Sequence, residues 1–339
     1  MNFRVRPAMA SDFAAIYEMA KLTGGGFTNL PADKGTLVNK LTRSEEAFAR
    51  VGDDQGNDCY LFVLEDPEAG AIRGTCQVFG QVGVTQAFYS YHLSTQTQSS
   101  HELAKTFKIQ MLSLTTDLEG SSEVGGLFLH PALRAGGWGM LLARSRYLFI
   151  KAHRARFGAR LLAELRGVMD EGGNSPFWDA LAGRFFDMTF PEADQFNAVN
   201  GTQFIADLMP RTPIYVSLLS EHARSVMGLP HPTGRAALRM LENEGFTFDR
   251  YIDIFDGGPT VTAPTDQVRT VREAQEMTIG AIDESDGGAP MLIAAGRMKA
   301  FRAGLGPVRR LSADQLAIQP AMARLLDLAV GDRVLTVSR

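Results

Sequence analysis

Residues 122–144 read SEVGGLFLHPALRAGGWGMLLAR, and the fold turns on how this stretch is parsed. From Glu123 to His130 the chain ends in an apolar run, Leu127-Phe128-Leu129, as a buried strand does. Pro131 cannot donate to a ladder and breaks it. Arg134 to Gly139 then spells R-x-x-G-x-G, and beyond it Leu141, Leu142, Leu148 and Phe149 recur along one helix face. A strand, a tight glycine turn and a helix are predicted. Glycines at 136, 137 and 139 let backbone amides converge where the helix carries its partial positive charge, which suits phosphate oxygens. The lysine-serine pair of a nucleoside-triphosphate loop is missing.

Upstream, Phe3 and Val5 form a short strand, and Ser11 or Asp12 caps a helix with Phe13, Ile16, Tyr17 and Ala20 on its apolar face. Residues 23–33, TGGGFTNLPAD, form a loop that could serve as a lip over a substrate cleft. A second helix shows Leu37, Leu41 and Phe48 on one side, and a hairpin follows over 60–84, with one more strand at 88–92. Downstream, 161–166 reads as a strand, and Ser175-Pro176 opens a helix carrying Phe177, Trp178, Leu181, Phe185 and Phe186. Residues 196–228 read as mostly helical, 235–245 as a helix and 246–255 as a strand. From about 261 the composition shifts to short apolar runs and turns, a small β-rich region.

With 339 residues, 45% hydrophobic and 21% charged, the chain has the composition of a soluble globular protein. A net charge of -4 argues against a nucleic-acid partner. No apolar run approaches the ~18–20 residues that span a bilayer, and the N-terminal stretch shows no secretory core, so a cytoplasmic location is expected. Cys59 and Cys76 make neither a disulfide framework nor a metal pattern. His92, His101, His130, His153 and His222 lack ligand spacing, so no metal is expected.

The R-x-x-G-x-G turn after a strand resembles that of GNAT-type acyltransferases. A larger set of blocks is more specific: KLTGGGFTNLPAD (21–33), YLFVLED (60–66), GSSEVGGLFLHP (120–131), AELRGVMDEGGNSPFWDALAGRFFDMTF (163–190), FIADLMPRTPIY (204–215), HPTGRAALRMLENEGF (231–246) and YIDIFDGGPTV (251–261). Together they resemble the arginine N-succinyltransferase family of bacterial arginine catabolism, over about residues 1–272.

That resemblance implies an α+β, GNAT-type fold, a mixed and largely antiparallel sheet flanked by helices, with a small β-rich C-terminal appendage. The domain division expected is 1–260, with a second GNAT-like half from about 190, and 261–339. It implies transfer of a succinyl group from succinyl-CoA to the α-amino group of L-arginine. The family's proton donor falls on His231 and its succinyl-CoA contact on Leu127, with Arg134, Gly136, Gly137 and Gly139 at the pyrophosphate. Glu123, on the strand that flanks the thioester, is a competing base. Candidates for the guanidinium partner are Glu164, Asp170, Glu171, Asp207 and Asp256, and for the succinyl carboxylate Arg166 and Arg211. The strand departs from the family's usual SELCTLFL at Val124-Gly125-Gly126, and Thr116-Asp117 and residues 97–100 depart as well. Another acyl donor, an acceptor such as ornithine, and a non-catalytic binding role therefore stay as alternatives. Whether copies of the chain associate stays open too.

Overall fold

The computed structural model describes residues 3–22, 30–133, 136–284 and 288–339, with 198–200 by backbone alone. Most of the TGGGFTNLPAD loop (23–29) and Arg134 lie outside the described residues. From the N-terminus come β1 (Arg4–Pro7), α1 (Phe13–Lys21), α2 (Lys34–Ala49) and the hairpin β2 (Cys59–Asp66) and β3 (Ala71–Phe79). A longer hairpin follows, β4 (Ser90–Ser100) and β5 (Lys105–Thr115), then β6 (Ser122–Leu129), α3 (Trp138–Ala152) and β7 (Arg160–Glu164). Short elements come next: α4 (Pro176–Ala180), α5 (Gly183–Phe186), α6 (Phe190–Asn200), α7 (Gln203–Leu208), β8 (Ile214–Tyr215) and α8 (Glu221–Val226). After α9 (Arg235–Asn243), β9 (Thr247–Ile252), β10 (Pro259–Pro264) and α10 (Arg269–Glu273), the last elements are β11 (Gln275–Ile282), β12 (Ala289–Ala295), β13 (Arg302–Arg310), β14 (Gln315–Ile318), α11 (Pro320–Leu326) and β15 (Arg333–Ser338). The architecture is α+β.

Two compact units interleave along the chain: Met1–Gly80, Ser122–Ala159 and Pro264–Arg339 make the first, Gln81–Ser121 and Arg160–Ala263 the second. In the first unit β1, β2, β3 and β6 lie side by side, all antiparallel. Leu61 and Val63 of β2 pack against Ile16, Met19 and Ala20 of α1 and Leu37 and Leu41 of α2, the predicted apolar faces. Phe62 meets Phe149 of α3 edge-to-face at 5.1 Å between ring centroids, so helices cover the sheet on both sides. The region after 264 carries five strands that close on themselves in the order β12, β15, β11, β14, β13, with β12 also paired to β13. Met322, Leu325 and Leu326 of α11 join Ile279, Ile293 and Leu316 in its core. β13 also pairs with β1, which ties this barrel to the first strand of the chain.

In the second unit the strand order is β7, β10, β9, β4, β5, β8. Phe177, Trp178, Leu181, Ile205, Val216, Ile252 and Phe255 form its core with Tyr91 and Leu112. The single helix expected from residue 175 is broken into α4 and α5. The Trp178 indole donates from Nε1 to the Met188 carbonyl at 2.8 Å and crowds Gly183, where an added Cβ would meet that nitrogen at 3.0 Å. Phe185, expected in the core, is 49% exposed. The stretch at 196–228 is helical only in pieces, with β8 between them. β9 carries two extra residues, Asp249 and Arg250, opposite the Thr260–Val261 step, and Arg250 takes up the strain at φ +63°.

Candidate active site

In the first unit, the parsing of residues 122–144 holds: β6, a turn, then α3. Opposite Cys76 on β3 the strand β6 has two residues, Gly126 and Leu127, since Thr75 pairs with Phe128 and Gln77 with Gly125. Gly126 sits at φ +57°, and a Cβ there would lie 2.9 Å from Cγ and Cδ of Gln77. A β-bulge at this place interrupts the regular ladder and turns the main chain of Leu127 out of simple register. Thr75 fixes the bulge by donating from Oγ1 to the Gly126 carbonyl at 3.1 Å. Of the three positions at which this strand departs from SELCTLFL, Gly126 lies on the bulge itself.

The turn into α3 is built on Gly136 at φ +103° and Gly137 at φ +86°, the second being the N-cap. Gly137 brings no side chain to cap the first turn of α3, an arrangement that suits a bound anion. The guanidinium of Arg339, which the sequence reading did not single out, lies against this turn: a Cβ on Gly137 would stand 2.7 Å from Nη2. Gly139 lies inside the helix, where an added Cβ would make only an ordinary 3.6 Å contact with Leu129.

Glu123 is 7% exposed and pairs across the sheet with Phe79, which pairs with Cys59. Lys40 of α2 lies over the Phe79 ring at 5.8 Å. Burial pushes its ammonium below the ordinary lysine value, while the charges of Cys59 and Glu123 pull it up. Glu123 is therefore beside a half-buried lysine. Burial raises both thiols, Cys76 to about 12, and the Cys76 thiol donates to the Leu142 carbonyl, so neither is a ready nucleophile.

His231 belongs to the second unit. Its backbone N–H donates to the Arg166 carbonyl at 2.7 Å, and Gly167 bridges to Pro230 beside it. The ring is anchored through Nδ1, 2.7 Å from Thr233 Oγ1 and 3.3 Å from the Thr233 N–H. The two contacts belong to different tautomers: the Thr233 N–H requires Nδ1 to accept, which puts the ring proton on Nε2, whereas an Nδ1–H donating to the closer Thr233 Oγ1 leaves Nε2 as the free base. Burial first, then the positive charge of Arg166, holds His231 below the ordinary imidazole value. Arg166 is thus a neighbour of the histidine.

Three carboxyls surround this segment, and only Asp256 was among the candidates. Asp194 on α6 is raised by burial and by the charge of Asp253, with Arg166 opposing. Asp253 is raised by burial, and Asp256 well above the carboxylate range by burial and by Asp253. Asp256 accepts from the Gly258 and Gly167 N–H groups, both at 2.8 Å. Of the other candidates, Asp170 accepts from the Asn174 backbone at 2.8 Å in a local turn, and Asp207 accepts from Gln203 at 2.8 Å. Asp194 and Asp253 carry no local motif; α6 brings Asp194 into the field of Arg166, and the loop after β9 brings Asp253 beside Asp194.

Comparison with known proteins agrees with the block pattern. The family model described as arginine N-succinyltransferase beta subunit matches residues 3–270, and the one for the C-terminal domain of that subunit matches 275–338. The chain is 41% identical over 333 residues to the arginine N-succinyltransferase subunit beta of Pseudomonas aeruginosa, covering 98% of this chain and 97% of that one. It is 39% identical to the arginine N-succinyltransferase of Citrobacter koseri, covering 97% and 96%. The structure of arginine/ornithine succinyltransferase subunit AI from Pseudomonas aeruginosa superposes with a TM-score of 0.90 at 32% identity, over 99% of this chain and 98% of that one. No described helix is long and apolar enough to cross a membrane. The chain belongs to the arginine N-succinyltransferase family.

Proposed function

We propose that this chain transfers the succinyl group of succinyl-CoA to the α-amino group of L-arginine, giving CoA and N2-succinyl-L-arginine, as a step of arginine catabolism. The full-length likeness to arginine succinyltransferases supports the reaction, and the setting of His231 supports the catalytic role. The amine nitrogen attacks the thioester carbonyl, the carbon–sulfur bond breaks, and one proton must travel from nitrogen to sulfur. In the tautomer whose Nδ1–H donates to Thr233 Oγ1, an imidazole held neutral near pH 7 can take that proton on Nε2 and give it to the leaving thiolate. Thr233 holds the ring by Nδ1 while this happens.

The first unit supplies the CoA grip in this reading, on a GNAT-type plan: a bulged strand followed by a glycine turn and helix. The amides at Gly136, Gly137 and Gly139, backed by Arg339, hold the pyrophosphate. Main-chain groups at the Leu127 bulge polarise the thioester carbonyl. Glu123, beside Lys40, is assigned to the sheet interior in preference to proton transfer. Asp194 is the proposed carboxylate for the guanidinium, being half-buried where Asp256 is fully engaged by backbone amides. Ornithine is the second acceptor to consider, because the solved relative is described as acting on both.

A steady-state assay of thiol release, with succinyl-CoA or acetyl-CoA against L-arginine and L-ornithine, tests the reading. Succinyl-CoA with L-arginine should give the highest kcat/KM. A preference for acetyl-CoA, or no turnover with either amine, would overturn it.

A further inference from the structure

The reaction above gives most of the block YIDIFDGGPTV (251–261) no task. Residues 253–259 of that block form a loop closed on itself. Asp253 accepts at Oδ1 from the N–H groups of Phe255 (2.7 Å) and Asp256 (2.8 Å). Its own N–H reaches the Gly258 carbonyl at 2.9 Å, and the Gly257 N–H returns to its carbonyl at 3.2 Å. Gly257 sits at φ +67° and Gly258 packs against the backbone of Leu165 and Gly167, so a side chain at either place would collide.

From this closed loop three bonds run to the segment that carries His231 and to the one paired with it. The Gly228 N–H donates to the Gly257 carbonyl at 2.8 Å, three residues before the histidine. The Leu165 N–H donates to the Pro259 carbonyl at 3.1 Å, and the Gly167 N–H to Asp256 Oδ2 at 2.8 Å. Between them the Arg166 carbonyl receives the His231 N–H. The remaining Asp256 oxygen, Oδ1, takes the Gly258 N–H, which fixes the carboxyl to its own loop. Asp256 is 7% exposed. We infer that Asp256 is a positioning residue for His231: its carboxyl fastens the Arg166–Gly167 step, and that step fastens the histidine's backbone. The inference rests on the proposed role of His231 and takes Asp256 out of the set of guanidinium ligands.

Asparagine at 256 keeps the shape, but its amide nitrogen cannot accept, so either Gly167 or Gly258 loses its partner. A displacement near 1 Å of a catalytic group can cost ~10²-fold in rate. Asp256→Asn should therefore lower kcat ten- to a hundredfold and move the acid limb of the pH–rate profile, with the KM for L-arginine within about twofold of wild type. A raised arginine KM with kcat unchanged would make Asp256 a guanidinium ligand and overturn the inference, as would wild-type kinetics. If the variant does not fold, glycine-labelled wild-type protein decides. The Gly167 amide should keep its chemical shift and its protection from exchange at saturating L-arginine, and loss of either would show the carboxyl leaving it for the ligand. A failure of the reaction itself would appear in the wild type as absent succinyl transfer, which neither Asp256 outcome resembles.

Discussion

Alanine at Gly137 and at Gly139 should separate what the chain needs at the α3 turn from what a ligand needs there. Gly137 sits at φ +86°, and an L-residue in the left-handed region costs about 1–2 kcal/mol. The new Cβ would lie 2.7 Å from Nη2 of Arg339, whose exposed side chain can swing aside at little cost. The melting temperature should fall modestly, and the cation is carried away from the turn. Weakening one charge-assisted phosphate contact by about 1 kcal/mol or more raises the KM for succinyl-CoA about fivefold or more. Gly139 contrasts with this. It lies in the first turn of α3, its added methyl meets only Leu129 at 3.6 Å, and alanine is the better helix former. A Gly139→Ala variant that melts no lower than wild type and still shows a higher KM places a ligand against that residue. Thermal melts and initial rates with succinyl-CoA varied at saturating L-arginine read both effects. An unchanged KM in both variants would remove the pyrophosphate from this turn.

Acid should cost the first unit stability through His153, which is 2% exposed and lies 3.0 Å from the Phe149 carbonyl through Nδ1 and 3.3 Å from the Met298 N–H through Nε2. Burial lowers it from 6.5 to about 4, so the unfolded chain binds the proton first: stability is intact above 6.5 and is lost as the pH falls towards 4. The loss is about 2 kcal/mol by pH 5 and about 3 in full, or roughly 3–5 °C at pH 5. His153→Asn should flatten that limb, and an unchanged pH dependence in the variant would refute it. Removing the charge of Arg166 with Arg166→Gln should raise the His231 pKa and move the acid limb of kcat/KM to higher pH; a shift to lower pH would contradict the assignment. Arg339→Ala should raise the KM for succinyl-CoA several-fold and leave that for L-arginine alone, which initial-rate measurements with each substrate varied in turn would check.

The strand, turn and helix of 122–152 were legible because an apolar run, a proline and three glycines each signal their own conformation. The apolar faces of α1 and α2 were legible for the same reason, since both bury what the helical period marks. The hairpin β4–β5 was visible only at its base. Beyond Leu93 the residues of β4 are Ser, Thr and Gln and mostly exposed, so no alternation announces a strand that backbone pairing holds together from Ser90 to Ser100. Chain order also concealed the units. The compositional change near 261 is real, yet β13 pairs with β1 and the last segment shares a unit with the first. At the candidate site, His231 came from a block resemblance, and its loop geometry could not be read from HPTG alone. Asp194 lies 28 residues from Arg166 in sequence and meets its field, and that of Asp253, only after α6 and the loop following β9 are in place. Lys40 would have been left on a solvated helix face, and only the packing of α2 on the sheet puts it over Phe79 beside Glu123.

The proton path from amine to thiolate is the centre of this account, and one comparison tests it: the rate of CoA release from succinyl-CoA and L-arginine by the wild-type chain and by His231→Ala. A group that carries a proton in the transition state is worth ~10²–10⁴ in rate, so kcat should fall by at least a hundredfold while the KM values for both substrates stay within a few-fold. A variant that turns over within a few-fold of wild type would show that the proton travels by another route.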